Sequence, residues 1–148
     1  MHSRHRGYDM SFQSPAEFYR RHRDNPSAAR EAAFKMGQEM GRSLKLKYNI
    51  KGETLEAVAM ILNATMRTVQ GEETARVEGE RVTLRNMGFC AIMRAAITLD
   101  VSWEWLDANF AWPWLEGIVS IIRSDTKLST PSARCRGDKV CLHVFELK

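Results

Sequence analysis

The sequence predicts an α+β domain, with an antiparallel sheet of about four strands built from two hairpins and covered by four to five helices. Apolar residues recur at helical spacing through much of residues 14–70 and 88–122. The period switches to that of strands twice, over residues 74–85 and 126–147. Glu78-Gly79-Glu80 interrupts the first of these stretches and Arg136-Gly137-Asp138 the second, each with turn chemistry. Two hairpins can merge into one sheet with helices on one face. At 148 residues there is room for one core, so residues 1–13 read as a flexible tail and 14–148 as a single domain.

The elements follow in chain order. Ser14-Pro15-Ala16-Glu17 is a helix start, with a cap at Ser14, a proline suited to the first turn and Glu17 completing a capping box. Asp24-Asn25-Pro26 breaks that helix and begins another by the same logic, which runs to about Lys47. Gly37 and Gly41 lie one turn apart in it. They either admit a close neighbour or are merely tolerated. Lys51-Gly52 is a turn, and Leu55, Val58, Leu62, Met66 and Val69 then mark a helix to Gln70. Thr74–Val77 and Arg81–Arg85 form the first hairpin. Gly88 opens an apolar helix through Phe89, Ile92, Met93, Ala96 and Leu99. Ser102 caps the next, which Pro113 must kink or restart. Lys127–Arg134 and Val140–Leu147 form the second hairpin, and Pro131, lacking a ladder donor, places the first of these strands at an edge.

Composition excludes several classes. No run of about 18 uncharged apolar residues exists, so no membrane span is expected. The start, MHSRHRGYDM, has no apolar stretch behind its charges, so no secretory signal is expected. Three cysteines without such a signal fit a reducing cytoplasm. There is no phosphate loop, dinucleotide fingerprint, His-Glu-x-x-His or Gly-x-Ser-x-Gly. Residues 1–51 hold eleven Lys/Arg against five Asp/Glu, a net +6. Arg20, Arg21, Arg23, Arg30, Lys45 and Lys47 either form a solvated helical surface or meet an acidic partner, nucleic acid being the less favoured one.

Three groups of residues could carry chemistry. If Gly137-Asp138-Lys139 form a three-residue turn, Cys135 and Cys141 stand opposite each other, with His143 on the same face. They are either packed thiols or, with His143, a site for a soft or borderline metal such as zinc. Cys90, near a helix start, is either buried packing or a nucleophile with His143 as base, as in a small hydrolase or thiol-dependent enzyme. The four tryptophans Trp103, Trp105, Trp112 and Trp114 cannot all face one way, so some line the core and others an aromatic pocket or a homodimer surface, with Trp103, Trp105, Phe110 and Trp112 as the candidate lining. Glu72-Glu73 lies beside a turn and reads as solvated.

Gly37-Gln-Glu-Met-Gly41, Asn86-Met-Gly-Phe-Cys90 and Cys135-Arg-Gly-Asp-Lys-Val-Cys141, in this order of elements, resemble small-molecule-binding domains of the 4-vinyl reductase type. They also resemble the related L-2-amino-thiazoline-4-carboxylic acid hydrolase-like proteins. The resemblance spans roughly residues 33–147. It implies a cytoplasmic α+β domain with an enclosed apolar pocket for a small apolar or aromatic molecule. It also implies a structural zinc to which Cys135 and Cys141 contribute.

Overall fold

The structure, a computed structural model, describes residues 15–148. The expected tail and the Ser14 cap lie outside the described residues. The chain forms α1 (15–22), α2 (Pro26–Lys47), α3 (Leu55–Val69), β1 (Glu73–Glu78), β2 (Arg81–Asn86) and α4 (Ala91–Leu99). It continues through α5 (Trp103–Leu106), a π turn (Asp107–Ala111), α6 (Trp112–Ser120), β3 (Thr126–Ser132) and β4 (Cys141–Leu147). The two hairpins join as expected into one antiparallel sheet, in the order β1-β2-β4-β3.

Caps explain the helix starts. Asn25 accepts the Ala28 N–H at the head of α2, whose first residue is Pro26. Thr54 does the same for Ala57 in α3. The α3 residues Val58, Ile61 and Leu62 are fully buried in the same cluster as Ala75, Val82, Leu84 and Phe145 of the sheet. Side chains alternate along strands, so strand pairing sets the rows on this inward face. One row is Val77, Val82, Phe145 and Leu128, and another is Ala75, Leu84 and His143. The third is polar: Glu73, Asn86 and Cys141.

Pro131 lies on an edge strand, as expected. There the register slips between Ser129 and Ser132, leaving one extra residue on β3 as a bulge. The other edge, β1, is covered differently. Asn63 of α3 accepts the Ala75 N–H at 2.8 Å and donates to the Ala75 carbonyl at 3.1 Å, standing in for a neighbouring strand. Asn63→Ala is expected to cost about 2 kcal/mol in urea unfolding, two hydrogen bonds at about 1 kcal/mol each. A loss below ~0.5 kcal/mol would show that the edge does not depend on them.

Two expectations need correction. The helix after Gly88 begins at Ala91, because the chain before it is tied to the sheet. The Phe89 N–H donates to Glu72 Oε2, and its carbonyl accepts from Asn86 Nδ2 and the Glu72 N–H. Pro113 restarts the helix as expected, in the first turn of α6, and the preceding turn widens, with the Trp112 N–H reaching the Asp107 carbonyl five residues back. In the last hairpin β3 ends at Ser132, and residues 134–136 form a 3-10 turn closed by Gly137. Asp138 Oδ2 accepts the Ala133 N–H and Ser132 Oγ donates to the Val140 carbonyl, which compacts this connection. Cys135 therefore sits in a turn and not in a strand opposite Cys141.

Candidate functional site

The polar row of the sheet opens onto a cavity of about 490 Å³. Glu73, Asn86, Cys141 and His143 contribute from the sheet. Met36, Glu39 and Met40 come from α2, and Met66 and Val69 from the end of α3. Cys90 and Ile92 come from the start of α4, Asp107, Phe110 and Ala111 from the π turn, and Trp114 and Leu115 from α6. Phe110 stacks on Phe18 at 4.5 Å and on Trp114 at 6.3 Å between centroids, which fixes its ring against the wall.

The π turn is a local consequence of sequence. Proline at 113 has no N–H and its ring would press on the carbonyl four residues earlier. The wider turn relieves this and sets the phase in which Asp107 and Phe110 meet the cavity. The Asn86 carboxamide is committed on both sides, accepting from Arg134 Nη1 at 2.8 Å and donating to the Phe89 carbonyl at 3.1 Å. Arg134 also donates to the Gly88 carbonyl at 2.6 Å and lies over the Trp103 ring. The loop that delivers Cys90 is thus held from both ends.

Burial displaces Glu73, Asp107 and His143 from their ordinary values. Burial pushes Glu73 up to about 7, the Asp107 charge adding to this and Arg134 opposing it. Burial raises Asp107 to about 6, against a hydrogen bond from the Cys135 thiol and the charge of Arg136. Burial holds His143 down at about 4, so its ring is neutral at pH 7. Its Nδ1 is 3.2 Å from Thr130 Oγ1, and its Nε2 is 3.9 Å from Glu73 Oε2, too far for a hydrogen bond. Glu73 Oε2 is buried with no hydrogen-bond partner.

Of the residues the sequence singles out, Cys90, Phe110, Cys141 and His143 line the cavity. Trp103, Trp105 and Trp112 are not in its wall, and Trp114 takes the aromatic place instead. Trp105 packs edge-on against Tyr19, in the cluster with Phe18 and Ala33. The reading of Glu72-Glu73 as solvated is right only for Glu72. Glu73 is the first residue of β1, two before Ala75, so strand alternation turns it inward. The alternation of Glu73 with Ala75 and Val77 carries that signal. Asp107 carried a signal too, since it is flanked at helical spacing by Trp103, Phe110 and Trp114.

Cys90 and His143 share the cavity, but burial pushes the Cys90 thiol up to about 12, with Glu73 and Asp107 adding to the shift. That holds it as an unreactive thiol. With Cys90 in a thiol-labelling assay at pH 7, the native protein is expected to react roughly 10³-fold more slowly than a free cysteine. Unfolding should restore the full rate. Fast native labelling would revive a nucleophilic role.

The three cysteines are unbridged. The Cys135 thiol donates to Asp107, and Cys141 Sγ accepts the Arg134 N–H at 3.2 Å. Among the described residues no three His, Cys, Asp or Glu side chains are disposed to hold a metal ion, so the donor set does not fit a zinc at Cys135 and Cys141. Nor is the basic front wholly free for an outside partner, since Arg30 donates to Asn109 Oδ1 at 2.9 Å. Among the described residues no helix is long and apolar enough to cross a membrane. No protein-family model matches the sequence, and no curated protein matches it.

Proposed function

We propose that this protein is a binding domain for a small apolar or aromatic molecule, enclosed between its helices and the inward face of the sheet. The cavity carries the reading. Its volume of about 490 Å³ is that of a small-molecule site, its wall is largely apolar, and its few polar groups converge from the sheet and the π turn. Met36, Met40 and Met66 give the wall side chains that can adapt to an occupant. The likeness of the sequence to 4-vinyl reductase-type domains implies a pocket of the same kind. Three unbridged thiols suit a reducing, cytoplasmic setting. A thiol-dependent reaction has less support, because the Cys90 thiol is not activated.

Thermal denaturation against a panel of aromatic and lipid-like molecules tests this, alongside native mass spectrometry of the purified protein. A binder at a hundred times its Kd adds about 2.7 kcal/mol, a rise in Tm of roughly 5–11 °C for a domain of this size. Ala111→Leu, which adds bulk to the wall, is expected to weaken that binder by about tenfold or more, in line with overpacking costs. No retained molecule and no binder in the panel would overturn the proposal.

A further inference from the structure

Three carboxylates line the cavity, Glu39, Glu73 and Asp107, and among the described residues no lysine or arginine does. Arg134, the cation felt by Glu73, is engaged by Asn86 Oδ1, the Gly88 carbonyl and Met93 Sδ. Asn86 itself is committed to Arg134 and Phe89. His143 Nε2 stands 3.9 Å from Glu73 Oε2, which is left buried and without a hydrogen-bond partner. A buried carboxylate oxygen in that state is costly, and among the described residues no group donates a hydrogen bond to it.

We infer that the occupant of the cavity is an apolar molecule carrying a protonated amine, whose ammonium is received by Glu73 beside Asp107. This rests on the binding-domain reading above. An ammonium brings a positive charge and up to three N–H donors to a site that has acceptors and negative charge but no cation in its wall. An alcohol brings one donor and no charge. A carboxylate meets like charge from Glu73 and Asp107 and is disfavoured. Among the groups that act on Glu73, Arg134 opposes with its positive charge but is engaged by Asn86, Gly88 and Met93. Asp107 from the π turn adds negative charge, while His143 from β4 is neutral and the Cys90 and Cys141 thiols are protonated.

The experiment uses the full chain and three molecules with one body: phenylbutylamine, phenylbutanol and phenylbutyrate, measured by calorimetry at pH 8. The amine is expected to bind roughly tenfold to a hundredfold more tightly than the alcohol, the worth of a charged hydrogen bond. The carboxylate should bind more weakly than either. In E73Q the amine-to-alcohol ratio is expected to fall toward one. If that variant does not fold, the wild-type series still decides. Amine and alcohol binding alike, or the carboxylate binding best, would overturn the amine and leave the binding-domain reading standing. No binding by any of the three would overturn the amine inference outright, and the broader panel above would then decide the binding-domain reading separately.

Discussion

Replacing Gly117 by alanine is expected to cost about 3 kcal/mol, the upper range for forcing bulk into a packed core. For a domain of this size that lowers Tm by roughly 6–12 °C. A Cβ on Gly117 would lie 2.1 Å from the Phe34 carbonyl oxygen of α2. The contact is reciprocal, since a Cβ on Gly37 would lie 2.1 Å from the Trp114 carbonyl oxygen of α6. Both obstacles are backbone, so no rotamer change relieves them and the helices must part. Gly37→Ala should therefore cost a similar amount. The double substitution should cost less than the sum, because one separation serves both sites. Met36, Met40, Trp114 and Leu115 line the cavity from these two helices, so parting them also enlarges it. Thermal melts of the three variants check this, and losses below ~1 kcal/mol would show that the crossing can spread freely.

At pH 8, Glu73→Gln is expected to stabilise the ligand-free protein by about 2–3 kcal/mol. The carboxyl titrates at about 7 in the fold against an ordinary 4.5, and each unit is worth about 1.4 kcal/mol. The folded state binds the proton more tightly than the unfolded chain. Stability from this group is therefore greatest below pH 4.5, falls as pH rises through 7 and is then level. Asp107, raised from 3.8 to about 6, has the same sign. His143 has the opposite sign: lowered from 6.5 to about 4, it costs stability as pH falls between those values. Urea unfolding at pH 8 and pH 5 separates them, with most of the E73Q gain gone at pH 5. An E73Q protein that is neutral or less stable at pH 8 would mean that Glu73 has a partner in solution.

The helices and both hairpins were legible because their residues obey one period at a time. Leu55 to Val69 keeps an apolar stripe, and Arg81 to Asn86 alternates around a turn at Gly79, so local pattern and global fold agree. Pro131 announced an edge for a reason that holds anywhere in a sheet. What stayed hidden depends on contacts between distant segments. The Cys135–Cys141 register failed because Asp138 and Ser132 close a longer connection than the Gly137 turn suggested. The tryptophans miss the cavity because Trp105 packs against Tyr19 and the π turn shifts the helical phase before Trp112. Glu73 becomes conspicuous only once the sheet places it in one row with Asn86 and Cys141.

That row also dates the site within folding. Glu73 and Asn86 meet through a local hairpin, but Cys141 joins them only when β4 pairs with β2, across more than fifty residues of chain. Such non-local pairing is slow to form, because loop closure must precede its reward. The cavity floor is incomplete until then, so an occupant has no complete site on the early collapsed chain and acts on the native state alone. Its effect should appear almost wholly as slower unfolding, with the refolding rate little changed.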